Sequence, residues 1–205
     1  VRGVHKRLAR GEVEEFASCT LDVFPVDPEE EYRFVDATEG RDLPGRFVPA
    51  IEAGVRRGLE RGPTAGFPVI GVGVHCVDGE YAILQSTEAQ FLLAGEKALR
   101  AALQQCRTEL FEPWLCMEAW VPADDVGVVL ADLAGRRGRV QGLEVDGRWA
   151  GISADCPFRE LRTFGSRLQA LTGGRGRFST KPSHYDRLPA TLVKEAIEAS
   201  PFRTV

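Results

Sequence analysis

From Ile51 through Val55 to Leu59 an apolar residue recurs every fourth position, while Glu52, Arg56, Arg57, Glu60 and Arg61 occupy the other faces. That period predicts an amphipathic helix from Pro49 onward. Gly62 suits the left-handed position after a helix, Pro63 cannot continue one, and Arg56, Arg57 and Arg61 suit the negative end of its dipole. Gly54 and Gly58 each cost about 1 kcal/mol relative to alanine in a helix interior, so a neighbouring sheet or helix is expected to press against them. Before this helix, residues 16–24 alternate, with Cys19, Leu21 and Val23 on one face and Ser18, Thr20 and Asp22 on the other, as a half-buried strand does. Residues 32–36 and 68–77 read as further strands, and Asp78-Gly79 as a turn. A second helix is predicted from Thr87, because Thr87-x-x-Gln90 has capping-box spacing and Phe91, Leu92, Leu99 and Leu103 follow; it should end near Cys106.

Leu110-Phe111-Glu112-Pro113 breaks the pattern and sets the expected domain boundary, giving domains 1–113 and 114–188. Beyond it, residues 115–121 read as a strand, and Val126, Val129, Leu130 and Leu133 stripe a helix ended by Gly138. Residues 139–145 and 148–156 read as strands around an Asp146-Gly147 turn. Leu161, Phe164, Leu168 and Leu171 stripe another helix, Gly173-Gly174 ends it, and 176–185 is a last strand. The order β-α-β-β-α-β is that of the split βαβ, or ferredoxin-like, sandwich. Residues 189–205 form a trailing helix and tail placed to pack back on the first domain.

Composition leaves this picture unchanged and narrows the chemistry. With 205 residues, 43% hydrophobic and 27% charged, the chain has ordinary globular composition. No apolar run is long enough to cross a membrane, so no membrane partner and a cytoplasmic location are expected. A chain that begins at Val1 fits a fragment of something longer. Up to Pro113 there are 13 Lys and Arg against 19 Asp and Glu, net −6; from Trp114 on, 13 against 11, net +2, for the total of −4. The second half is therefore the more RNA-compatible. The five cysteines show no C-x-x-C pair and no histidine at ligand spacing, so neither a zinc site nor a disulfide framework is expected, and buried thiols are. His75 and Cys76 should face opposite sides of one strand, and Glu29-Glu30-Glu31 should be a solvated loop. There is no G-x-x-x-x-G-K-[ST], G-x-S-x-G or H-E-x-x-H, so no catalytic residues, metal or cofactor are expected in this chain. A binding module remains.

Residues 47–72 (FVPAIEAGVRRGLERGPTAGFPVIGV) resemble the fourth domain of bacterial elongation factor G, which carries an Ile-Pro-Ala-Val-x-x-Gly helix followed by Gly-Pro-Leu-Ala-Gly-Tyr-Pro-Val. Ser86-Thr87-Glu88 is similar to that family's Ser-Ser-Glu helix start, and Leu110-Phe111-Glu112-Pro113 to its Leu-Leu-Glu-Pro linker. Residues 127–142 (GVVLADLAGRRGRVQG) and 172–176 (TGGRG) resemble motifs of its fifth domain. The resemblance implies an α+β pair of domains. The first would be a ribosomal-protein-like βαβ domain with a left-handed crossover, the second a ferredoxin-like βαββαβ sandwich. It also implies a parent translational GTPase whose GTP and Mg site lies in a preceding domain, and a role in tRNA and mRNA translocation. The partners would be the ribosome, through rRNA and ribosomal proteins, and tRNA or mRNA at a projecting tip, with the factor a monomer.

Two loops would form that tip, and both depart from the family. The expected Ser-Gly-Gly-Arg-Gly-Gln is replaced by residues 9–15 (ARGEVEE), and Gly-Ser-Tyr-His-Asp-Val-Asp-Ser by residues 79–86 (GEYAILQS). Carboxylates repel phosphates, and an Ala-Ile-Leu turn offers them no hydrogen bonds. The candidate RNA-binding residues carried over are Arg7, Arg10, Gly11, Tyr81, Ala82, Gln85 and Ser86 at the tip. In the second domain they are Arg136, Arg137, Arg139, Arg175 and Arg177. The leading expectation is a divergent member that binds the ribosome through its second domain, with translocation weakened or replaced by a specialised role. The alternatives are a ribosomal protection factor of the tetracycline-resistance kind, suggested by Thr108-Glu109-Leu110, and a protein-interaction module docking through Ile83-Leu84.

Overall fold

The computed structural model describes residues 2–8, 14–38, 43–83 and 85–202. These form two units, one built from the chain up to Glu109 together with the segment from Ala190, the other from residues 110–189. In the first unit β1 (Arg2–Leu8), β2 (Glu14–Pro25) and β3 (Tyr32–Asp36) precede α1 (Val48–Leu59), β4 (Val72–Glu80) and α2 (Glu88–Gln105). The sheet order is β1-β2-β4-β3. β1 and β4 are both antiparallel to β2, whereas β3 and β4 run parallel, so α1 is the crossover a parallel pair requires.

The core explains the pattern. Cys19, Leu21, Val74 and Cys76 from the sheet meet Ile51, Val55 and Leu59 of α1 and Phe91, Ala94, Leu99 and Leu103 of α2, all buried. The two helices touch backbone to backbone. A Cβ on Gly54 would stand 2.0 Å from the Leu92 carbonyl oxygen, one on Gly95 2.5 Å from that of Ile51, and one on Gly58 2.9 Å from Leu99 Cδ2. The close approach expected at Gly54 and Gly58 is thus to α2. At the start of α2, Thr87 N–H donates to Gln90 Oε1 over 2.6 Å, the capping box read from the spacing.

Three expectations in this unit are corrected. Asp78 and Gly79 do not turn but continue β4, opposite Thr20 and Cys19, because β2 runs on past a bulge at Thr20/Leu21 and carries its partner with it. Gly62 is not left-handed; Ala65 (φ 52°) and Gly66 (φ 74°) take that conformation instead. Cys106 is exposed at the end of α2, and only Cys19, Cys76 and Cys156 are fully buried.

The second unit contains β5 (Phe111–Pro122), α3 (Val126–Gly135), β6 (Arg139–Asp146), β7 (Trp149–Pro157), α4 (Phe158–Leu161), α5 (Phe164–Leu171) and β8 (Arg177–Arg187). Its sheet order is β6-β7-β5-β8 with every neighbour antiparallel, the ferredoxin-like arrangement. Met117, Ala119 and Val121 of β5 and Ala150, Ile152 and Ala154 of β7 face Val129, Leu133, Phe164 and Leu168 of the helices. The predicted second helix is broken into α4 and α5 around Arg162 and Thr163. Phe111 to Pro113, read as a break, already belong to β5, where Phe111 pairs with Arg187 and Glu112 with Asp186 before a shift past Pro113. A proline tolerates that place because the ladder is irregular there. The residue that leaves α3 in the left-handed conformation is Arg137 (φ 59°), not Gly138, whose N–H closes back onto the Leu133 carbonyl at 2.8 Å.

The trailing helix α6 (Ala190–Glu198) belongs to the first unit. Beyond it the Ser200 hydroxyl donates to the Ala65 carbonyl at 2.8 Å, and the Phe202 ring meets Phe67 edge-on at 6.1 Å. A Cβ on Gly66 would collide with Phe202 at 2.8 Å.

Gly54→Ala gains about 1 kcal/mol of helix propensity but must push α1 off α2, an overpacking cost of about 1–3 kcal/mol or more. A net loss of stability, read as a lower urea midpoint with unchanged slope, is the expected result.

Candidate functional site

At one end of the first sheet the described part of the β1–β2 hairpin closes with Leu8 opposite Glu14, and β4 ends at Glu80, opposite Ser18. The turn after β4 is tied to the same hairpin. Phe16 N–H donates to the Gln85 carbonyl at 3.2 Å, and the Ser86 hydroxyl donates to the Phe16 carbonyl at 2.6 Å while accepting from Ala82 N–H at 2.8 Å. Ala82 in turn accepts from the N–H groups of Gln85 and Ser86, each at 3.0 Å. The Ser86 hydroxyl and the Gln85 backbone therefore hold the turn. Tyr81 leans on Phe47 with ring centroids 6.2 Å apart, and Phe47 stacks on buried Phe91 at 4.5 Å, so the turn is anchored to the core. Ile83 points outward, 82% exposed. The backbone of Arg7 pairs with Glu15; Arg10 and Gly11 lie outside the described residues.

Four of the five second-domain arginines are committed to carboxylates of their own unit. Arg136 donates to Asp132 at 2.6 Å, to the Glu160 carbonyl at 2.6 Å and to Thr163 at 3.0 Å, and its guanidinium lies over the Phe164 ring. Arg137 makes a two-pronged pair with the buried Glu112, at 2.5 and 2.9 Å, and reaches Glu160 at 3.4 Å. Arg139 donates to Asp186 at 2.8 Å and covers Trp114, and Arg175 donates to Asp125 at 3.1 Å. Arg177 alone of the five is exposed with no side-chain partner among the described residues. Burial by itself would raise the Asp132 carboxyl, but hydrogen bonds from Arg136 and Arg167 outweigh it and hold the group below its ordinary 3.8.

Burial, with Cys76 nearby, pushes the Cys19 thiol up to about 12; burial and the Asp36 and Asp78 carboxylates do the same to Cys76, which also reaches about 12. Cys156 rises to about 11 through burial and Asp155, so these thiols are inert. Cys76 faces the core while half-buried His75 leans on Phe24 with centroids 4.6 Å apart. Glu29, Glu30 and Glu31 are exposed, and Glu30 pairs with Arg33 at 2.7 Å. Among the described residues no group of three or more His, Cys, Asp or Glu is placed to hold a metal, and no helix is long and apolar enough to cross a membrane. Sequence reasoning missed Trp120 and Trp149, exposed on the helix-free face of the second sheet. Their signal was the alternation of residues 117–121 in β5 and of β7, which sets both opposite the buried Ala119, Val121, Ala150 and Ile152.

The family description "Elongation factor G, domain IV" matches residues 1–107, and "Elongation factor G C-terminus" matches residues 109–196. The chain belongs to the elongation factor G family. The two matches meet close to where the first unit gives way to the second, and the C-terminal match runs on past the second unit into α6, which belongs to the first. A crystal structure of a Thermus thermophilus protein superposes with a TM-score of 0.89 at 29% identity, covering 97% of this chain and 29% of that one. This chain thus spans less than a third of the length of that relative.

Two tests separate structural from surface arginines. Arg137→Ala leaves Glu112 buried and unpaired, so a loss of about 2–4 kcal/mol is expected, largely recovered by adding Glu112→Gln; thermal melts of both variants check this. Because the Asp132 carboxyl sits below 3.8 when folded, its ion triad contributes fully above that value and is lost as pH falls further. Asp132→Asn should therefore flatten the stability–pH curve below 3.8 and leave its shape unchanged above.

Proposed function

We propose that this chain is the ribosome-engaging C-terminal region of an elongation factor G-like translation factor that works in tRNA and mRNA translocation or a specialised variant of it. The observation that carries the reading is the pair of family matches over both units. In this reading GTP and Mg act in a part of the parent protein outside this chain, and this region biases the position of RNA on the ribosome without performing catalysis. Its tip residues are Arg7, Arg10, Gly11, Tyr81, Ala82, Gln85 and Ser86.

The exposed Ile83 favours the specialised variant. A turn laced by Ser86 and crowned by an aliphatic side chain has little to offer a phosphate backbone. Ribosomal protection, or docking of a protein on the Ile83 turn, are the outcomes a different tip chemistry would serve.

Fused behind an active elongation factor G GTPase portion, the region should bind ribosomes and support poly-phenylalanine synthesis at no more than about a tenth of the rate given by the translocase's own C-terminal region, the loss expected from a tip deprived of about 1.4 kcal/mol of polar contact. Release of a drug-stalled ribosome without any synthesis would move the reading to protection. Failure to sediment with ribosomes would end it.

A further inference from the structure

Three tryptophans lie on the face of the second sheet that carries no helix, and the protein treats them differently. Trp114 is closed: Arg139 sits 4.1 Å from its ring centroid, His184 stacks at 5.7 Å, and 4% of the residue is exposed. Trp120 and Trp149 are 41% and 43% exposed, and neither has a ring or cation partner among the described residues. They stand on the two central strands. Trp120 of β5 is opposite Gly151, and Trp149 lies two residues from Gly151 along β7, opposite Pro122.

The glycine sets the attitude of the first indole. A Cβ on Gly151 would lie 3.4, 3.4 and 3.5 Å from three carbons of the Trp120 six-membered ring, which places one ring face down on bare backbone. The opposite ring face is turned outward. On one side of the pair, β8 presents Arg177, Ser179 and Lys181 on this same face, opposite Trp120, Glu118 and Cys116. Glu118 is 4.0 Å from Lys181 and offsets part of its charge, whereas the Arg177 side chain has no partner among the described residues. On the other side, β6 presents Glu144 and Asp146, opposite Gly151 and Trp149. The face therefore has an aromatic middle, a basic edge and an acidic edge.

We infer that this face is a stacking platform for unpaired RNA bases, with the phosphates running along Arg177 and Lys181 and the bases lying on Trp120 and Trp149. Aromatic residues on the central strands of a four-stranded sheet of this topology are a general solution to single-stranded RNA binding, and every base has a π-face to offer an indole. A cation beside the aromatic row supplies the phosphate contact; Glu118, the carboxylate nearest that cation row, is taken up by Lys181, and Glu144 and Asp146 on the β6 edge fix the direction from which the strand approaches. The inference rests on the ribosome reading above and moves the RNA surface of this unit from the ends of its helices to its sheet.

The test titrates the 205-residue chain with an unstructured oligouridylate of about eight nucleotides, read by quenching of tryptophan fluorescence, alongside sedimentation with ribosomes. Trp120→Ala and Trp149→Ala should each weaken oligonucleotide binding by roughly tenfold, Trp120→Phe by less, and Trp114→Phe not at all. Arg177→Gln should weaken it and lower the salt slope by about 1. Unchanged thermal melts keep the alanine variants interpretable, and Trp120→Phe serves if either fails to fold. No binding by the unaltered chain, or binding indifferent to both exposed tryptophans, overturns the inference even when ribosome sedimentation persists. Loss of sedimentation in the tryptophan variants without any oligonucleotide binding assigns the face to a protein and overturns it equally. Failure of the unaltered chain to sediment with ribosomes overturns the ribosome reading and leaves the oligonucleotide result to stand by itself.

Discussion

Backbone contact between α1 and α2 is the constraint from which the first unit follows. Gly54 against the Leu92 carbonyl and Gly95 against that of Ile51 form a reciprocal pair, each helix offering the other a place without a side chain. The crossing is therefore tight, and Ile51, Val55 and Leu99 are buried completely beside it. Interiors packed as densely as organic crystals transmit such a constraint instead of absorbing it. With α1 held there, the β3–β4 crossover has its place. The turn beyond β4 then meets Phe16 of the hairpin, where Ser86 and Gln85 join the two.

Legibility followed the range of the forces involved. Helices α1, α2 and α3 and the βαββαβ order could be read because burial of one face imposes a period on the residues themselves. So could the cost at Gly54 and Gly58, since an uncompensated glycine in a helix implies a compensating neighbour. What escaped the reading depended on partners distant along the chain. Asp78-Gly79 has the composition of a turn, yet β2 pairs with it and keeps it extended. Pro113 looks like a terminator until Arg187 and Asp186 arrive beside Phe111 and Glu112.

Candidate sites obey the same division. Charge and motif pointed to Arg136, Arg137, Arg139 and Arg175, and the fold has given each a carboxylate, so their first role is to hold α3, β6 and the approach to β8 in place. Residue type alone cannot distinguish a guanidinium committed to Glu112 from one facing solvent, because the commitment is made across the sheet. The tryptophans present the converse case. Nothing in their local sequence marks Trp120 apart from Trp114, and only the neighbours, Gly151 for one and Arg139 with His184 for the other, leave one indole open and the other closed.

The route of the chain through the two units carries a consequence for synthesis. Residues 110–189 are spliced into the first unit as an insert whose two ends are clipped together by the Leu188 N–H on the Leu110 carbonyl, at 2.8 Å. The ferredoxin-like insert is continuous in sequence and draws its whole core from its own residues. The core of the first unit is complete without α6, and its last contacts, Ser200 on Ala65 and Phe202 on Phe67, come from residues made only after the insert.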